Sequence, residues 1–266
     1  MNNVGITGPT GFLGRNILKS LQSKKNKLIP FEGNLLSQKD LDKFFKENKI
    51  DQLIHLAGTF LPPFENLIEK NLLTTEKLLE QAVRANVKKI ILASSGAVYG
   101  EPLAKESFEF DPFNPNTLYG LSKMYAEECC KYYQQNNNIE CIILRFSSIY
   151  GPDNNKGVIF NFLEAIKRNK KVIIYGDGKQ TRDFLHVEDA CSAIEKTLNY
   201  NKSDIFNISS SLRFSINDIV KFLKTKYNFE IEYREKENNL ESLCLNIDKA
   251  RSKLGFVPKV TELRIS

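Results

Sequence analysis

The stretch Val4-Gly5-Ile6-Thr7-Gly8-Pro9-Thr10-Gly11-Phe12-Leu13-Gly14 decides the architecture of this chain. A short apolar run opens without a linker into three glycines spaced three apart, and Ile17, Leu18 and Leu21 follow at helical spacing. That order reads as strand, tight turn, helix. Working outward, residues 27–31 read as a second strand, and Ser37 as the N-cap of a helix carrying Leu41, Phe44 and Phe45 that ends near Asn48. Residues 52–56 are a third strand, 67–85 a long helix, and 89–93 a fourth strand apolar enough to be buried on both faces. Further along, 117–135 is helical, 140–146 a strand and 187–198 a helix.

Strands alternating with helices in this way wind onto a parallel sheet with helices on both faces. After Gly151 the pattern loosens into a helix near 159–168, short strands near 172–175 and 204–208, and a helix opened by Ser215 with Asp218 three residues on, the spacing of a capping box. The expected fold class is α/β: a Rossmann-type doubly wound parallel sheet with a small C-terminal α/β substrate lobe. Residues 1–150 and 172–200 are assigned to the dinucleotide-binding domain, and 151–171 with 201–266 to the smaller lobe.

The composition agrees with a globular chain. Of 266 residues, 41% are hydrophobic and 26% charged, which excludes disordered, collagen-like and coiled-coil classes. No apolar run reaches the roughly 18 residues that cross a bilayer, and the first strand begins too early for a leader peptide, so no membrane association and a cytoplasmic location are expected. The five cysteines (129, 130, 141, 191, 244) lack CxxC spacing, which suggests neither a metal site nor a disulfide framework. The formal charge of +6 is spread along the chain rather than gathered into a nucleic-acid arm, although a mild positive field favours an anionic substrate.

The glycine turn lies where a dinucleotide pyrophosphate meets backbone N–H groups and the positive end of a helix. Gly8, Thr10, Gly11, Phe12, Leu13 and Gly14 are therefore candidate cofactor contacts, with Leu56, Ala57 and Ser94 at the ends of neighbouring strands. Glu32, at the end of the second strand, can accept from a ribose 2′-hydroxyl, with Asn34 beside it; a solvated turn residue is the other reading of Glu32. The cofactor is NAD or NADP. Tyr119 and Lys123 stand four apart on one helical face, where an ammonium can lower the pKa of a phenol that is otherwise near 10. Ser94 and Ser95 arrive at the C-terminal edge of a buried strand, where wound sheets bind ligands, unless they serve only as a cap.

With these residues in order, the chain resembles the extended short-chain dehydrogenase/reductase family, in its NAD-dependent nucleotide-sugar epimerase/dehydratase group. The matching stretches are the glycine turn, His55-Leu56-Ala57, Asn71, Ser95 to Gly100, Tyr119 with Lys123, Arg145 to Pro152, Tyr175 to Asp189, Asn207 and Asp248 to Gly255. The resemblance implies an NAD(P)-dependent enzyme acting at C4 of a sugar carried by a nucleoside diphosphate. Tyr119 would be the general acid/base, Lys123 its electrostatic partner and ribose ligand, and Ser95 a hydrogen-bond partner of the C4 oxygen, next to Gly96. Arg182 would hold the diphosphate, unless it pairs with Asp183 or Glu188. Asn71 caps its helix or touches ligand, and His186 packs in the core.

Three departures narrow the reading. Gly96-Ala97 stand where the family's dehydratases carry Asp-Glu, which argues against elimination of water. Ser148 and Lys236 stand where many epimerases carry asparagine and arginine. The loops after residues 32 and 59 are short. These favour a reductase of a nucleotide-linked 4-keto sugar, with a UDP-glucose 4-epimerase-like enzyme as the alternative and a non-catalytic dinucleotide-binding protein behind both. The family's homodimer seam would use Leu72, Leu79, Met124 and Tyr132.

Overall fold

The computed structural model describes residues 2–21, 26–102, 104–235, 244–260 and 262–264. In chain order the first half comprises β1 (Asn3–Thr7), α1 (Phe12–Leu21), β2 (Lys27–Pro30), α2 (Gln38–Glu47), β3 (Gln52–His55), α3 (Phe64–Leu67), α4 (Thr74–Arg84), β4 (Lys89–Ser95) and α5 (Leu118–Asn136). A π-helical turn, Ile68–Leu73, joins α3 to α4. There follow β5 (Glu140–Phe146), β6 (Ser148–Tyr150), α6 (Val158–Lys167), β7 (Val172–Tyr175), β8 (Thr181–His186), α7 (Val187–Leu198), β9 (Asp204–Ile208), β10 (Arg213–Ser215), α8 (Ile216–Lys224), β11 (Ile231–Arg234) and α9 (Asp248–Leu254).

Six strands form one parallel sheet in the order β2-β1-β3-β4-β5-β9. The apolar runs dictate this, because a strand covered on both faces must be apolar on both. Ile6, Ile17, Ile54, Ile142 and Ile194 belong to the core on the α1 and α7 side, and Leu41, Phe44, Leu53, Leu79 and Ile143 to the core under α2, α4 and α5. Each such side chain, fully buried, contributes about 1.5–3 kcal/mol. The expected caps are present: the Ser37 side chain accepts from Asp40 N, and Ser215 with Asp218 completes a capping box on α8.

The smaller lobe has its own core, which includes Phe162, Val172, Ile174, Ile219 and Leu223. Its strands form two small sheets, β10-β8-β6 and β11-β7. Four short strands therefore lie opposite to the division expected from sequence: β6, β7 and β8 fall in the small sheets and β9 in the large one. Residues 204–208 pair with β5 in the large sheet, where Phe206 and Ile208 are fully buried on one face and Ile205 packs on the other. Residues 172–175 alternate buried and more exposed, the pattern of a one-sided strand, and pair with β11.

Candidate active site

The turn after β1 lies at the point where the strand order reverses, with β2 on one side of β1 and β3 on the other, the crevice in which wound sheets bind ligands. Gly8 has φ +67°, and a Cβ there would stand 2.7 Å from the Ala57 backbone nitrogen. A Cβ on Gly14 would collide with the Gly8 carbonyl oxygen, and Gly11 N donates to that oxygen at 3.1 Å. The turn tolerates side chains at neither position and presents backbone at the start of α1. Beside it opens a cavity of about 1020 Å³ lined by Gly8, Thr10, Glu32, Asn34 and Ala57, all from the sequence-derived set. Such a space can hold a dinucleotide. Glu32 and Asn34 are exposed on its wall, whereas Phe12, Leu13 and Leu56 pack against the core beneath.

Behind the turn, His55 is buried between the Thr7 and Thr75 hydroxyls at 2.6 and 3.0 Å. Burial, helped by the charge of Lys123, pushes its pKa down to about 3, so the ring stays neutral and ties β1, β3 and α4 together. Asn71 sits within the π-helical turn, a feature that recurs near functional sites. It neither caps a helix end nor points freely to ligand. Its amide accepts from Thr59 N and donates to Thr59 O and Ser122 Oγ, each at 2.8 Å, and Ser122 in turn donates to Tyr119 O. A Cβ on Gly58 would lie 3.3 Å from Lys123 Nζ, so Lys123 reaches the loop after β3, where the cavity is lined by Ala57 and Gly58.

Tyr119 and Lys123 share one face of α5, which Thr117 caps by accepting from Gly120 N. Burial raises the Tyr119 pKa above its ordinary value, and a hydrogen bond with the Ser95 hydroxyl opposes that rise. Spacing on the helix assigns the opposing role to Lys123. Here its ammonium donates to Ala93 O at 2.9 Å, and burial lowers its pKa to about 8 against the attraction of Glu127. Ser95 also caps the short 3-10 turn Gly96–Tyr99 by accepting from Ala97 N, the capping reading of this residue. Ser94 diverges: its hydroxyl donates to Glu127 on α5 and is buried away from solvent.

The mouth of the site includes two residues that sequence reasoning passed over. Phe60 meets Tyr119 edge to face at 6.5 Å, and Lys156 Nζ lies 4.7 Å above the Phe60 ring. In the small lobe, Arg182 is half-buried on β8, with a pKa lowered by burial, and Ser148 is exposed on the adjacent strand β6. His186 is buried against Tyr150 at 5.3 Å, as a core residue would be. Lys236 falls outside the described residues. A second cavity, about 530 Å³ beside β5 and β9, shares no lining residue with the Tyr119 site.

Known proteins with this architecture were found at both the sequence and the structure level. A relative from Methanocaldococcus jannaschii, described as "Putative UDP-glucose 4-epimerase", is 34% identical over 96% of this chain and 93% of its own length. The UDP-glucose 4-epimerase of Thermotoga maritima, solved with UDP-glucose, superposes with a TM-score of 0.91 at 24% identity over 97% of this chain and 94% of that one, a likeness of fold. MoeE5, solved with UDP-glucuronic acid and NAD, gives a TM-score of 0.87 at 28% identity over 97% and 94% of the two chains. No helix among the described residues is long and apolar enough to cross a membrane. Residues 4–209, well over half of the sequence, match a single family description, and the chain accordingly belongs to the NAD dependent epimerase/dehydratase family.

Proposed function

We propose that the protein is an NAD-dependent 4-epimerase of a UDP-linked sugar. The observation that carries this reading is the meeting of Tyr119, Ser95 and Lys123 next to a dinucleotide-sized cavity, in a chain whose full-length archaeal relative bears an epimerase name. The reductase favoured by sequence gives way to its alternative, since the relatives described above are epimerases or bind UDP-sugars.

Gly8, Gly11 and Gly14, with the start of α1, would hold the pyrophosphate of NAD, and Glu32 its adenosine ribose. Bound there, NAD supplies a reversible acceptor for the hydride of sugar C4. Tyr119 takes the proton from the C4 hydroxyl during oxidation and returns it after the keto sugar has turned its other face. Ser95 hydrogen-bonds the same oxygen in both directions. Lys123, on the same helical face as Tyr119, would hold the nicotinamide ribose and add positive charge to that side of the site. Arg182 suits the substrate diphosphate, because a guanidinium binds phosphate through paired donors, and Ser148 adds a hydroxyl nearby.

A homodimer fits the surface. Leu118, Tyr125 and Tyr132 are exposed at seven-residue spacing along α5, and Leu73 is exposed just before α4. Of the seam expected from sequence only Tyr132 belongs to this stripe, because Leu79 is fully buried, Leu72 is half-buried and Met124 packs inward.

The test is interconversion of C4 epimers, followed by NMR, in UDP-glucose and UDP-glucuronic acid without added reduced cofactor. Turnover is expected, with Tyr119→Phe losing about two to four decades in rate. No interconversion, together with reduction of a nucleotide-linked 4-keto sugar that consumes one reduced cofactor per product, would instead restore the reductase, and full activity in Tyr119→Phe would remove the proposed chemistry.

A further inference from the structure

Beneath the Tyr119 and Lys123 pair, the same face of α5 carries a third polar residue, Glu127, which is completely buried. Its carboxylate receives four hydrogen bonds. The Ser94 hydroxyl donates to Oε1, Arg145 Nε donates to both oxygens at 3.1 Å, and Arg145 Nη2 donates to Oε2 at 2.7 Å. Arg145, itself 2% exposed, spends its remaining nitrogen on Tyr99 Oη at 2.7 Å and Glu109 O at 3.2 Å. Tyr99 Oη donates on to Asn207 Oδ1 at 2.6 Å. The network joins α5, β4, β5, β9 and the 3-10 turn that follows Ser95.

A buried ion pair is a poor source of stability, because desolvating two charges offsets their attraction. Its presence directly below the proposed proton-transfer residues calls for another explanation. Ser94 precedes Ser95, and Glu127 lies one helical turn beyond Lys123. The carboxylate is thus bonded to the neighbour of one site residue and lies a turn from another.

We propose that Glu127 is a positioning residue of the site: it fixes α5 against the end of β4 and keeps Lys123 in its ammonium form. This inference rests on the proposed role of Lys123. Arg145 already draws on the single carboxylate, so Lys123 is only partly compensated, in line with its lowered pKa. The other titratable groups facing Lys123 do not compete in the neutral range. His55 on β3 is held neutral by burial, Cys130 on α5 is held as a thiol by Cys141 and burial, and Tyr119 is raised above its ordinary value.

The test is the pH profile of kcat/KM for Glu127→Gln, for the double variant Glu127→Gln with Arg145→Met, and for Tyr99→Phe, each checked for retained cofactor. On the alkaline limb Lys123 loses its proton. Losing the opposite charge is expected to move that limb down by about one pH unit in Glu127→Gln, leaving about a fivefold smaller share of plateau activity at pH 8, and by a smaller step in the double variant, which also loses the repelling guanidinium. Tyr99→Phe disturbs the same network without removing a charge, so its limb is expected to stay in place. The double variant leaves no charge unpaired and carries the test should the single one fail to fold. Limbs that coincide in all four proteins, or a Tyr99→Phe limb that falls with the others, would overturn the proposal. Full turnover in Lys123→Met would instead remove the role of Lys123 on which it rests.

Discussion

Replacing Gly8 by alanine perturbs the cofactor turn through two separable effects, and Gly157 provides the internal control. Both residues have positive φ, +67° and +89°, so alanine at either position adopts a conformation that costs about 1–3 kcal/mol. At Gly157, ahead of α6, nothing lies within 4 Å of the added Cβ, and backbone strain is the whole cost. At Gly8 the Cβ meets Ala57 N at 2.7 Å and Ala57 Cα at 2.9 Å. These are main-chain atoms after β3 and cannot rotate away as a side chain would. Overpacking of this kind adds about 1–3 kcal/mol, so Gly8→Ala should lose about 2–6 kcal/mol where Gly157→Ala loses about 1–3. Urea denaturation measures both. Calorimetric titration with NAD gives the second readout: affinity should fall in Gly8→Ala, whose relaxation separates the two loops flanking the cavity, and hold in Gly157→Ala. Equal destabilisation of the two variants with unchanged NAD affinity would refute the contact argument and, with it, the placement of the cofactor at this turn.

Two further expectations concern pH and assembly. His55, with a pKa near 3 when folded and about 6.5 when free, makes the protein less stable as pH falls through that window. Asp183 acts in reverse: burial lifts it to about 6 from 3.8, so folding gains as pH falls from 6 to 3.8. Each slope reaches at most about 1.4 kcal/mol per pH unit, and they oppose one another between about pH 4 and 6. Asp183→Asn removes one of them and should show a steeper loss of stability on acidification; a urea-midpoint profile parallel to wild type would reject the assignment. For assembly, Tyr125→Glu combined with Tyr132→Glu should sediment as a monomer where wild type sediments as a dimer, and a monomeric wild type at micromolar concentration would dispose of the α5 seam.

The large sheet was legible because burial on both faces writes itself into sequence as apolar runs such as Lys89–Ser95 and Glu140–Phe146, bounded by helices with visible caps. The glycine turn was legible because only glycine fits where two main chains touch. The division of the short strands between the two lobes was not. Residues 172–175 and 204–208 are both short and apolar, and whether such a strand joins the large sheet or a two-stranded ribbon is decided by partners more than twenty residues away. The π-helical turn at Ile68–Leu73 leaves no local signature, so Asn71 was read as a cap or a ligand contact rather than as a tie between Thr59 and Ser122. Glu127 did leave a signal, an acid eight residues after Tyr119 on the same helical face. Arg145 left another, a cation closing an otherwise apolar strand.

The different fates of Ser94 and Ser95 follow from strand geometry. Successive side chains of β4 alternate between faces: Ile90 and Leu92 join the core under α5, while Ile91 and Ala93 join the opposite one. Position 94 therefore returns to the α5 face and meets Glu127. Position 95 is the last residue of the strand, released at the sheet edge within reach of Tyr119. A slip of one residue in the pairing of β4 with β5 would exchange the two hydroxyls and leave Glu127 without its serine donor. On α5 the matching residues recur every four positions, about 6 Å apart along the axis. The helix thus carries the phenol proposed for proton transfer at one end of this face and a structural carboxylate about 12 Å further along the axis. Register in the sheet and periodicity in the helix must agree for either serine to find its partner, which is why the Ser94–Glu127 pair and the Ser95–Tyr119 pair stand or fall as one arrangement.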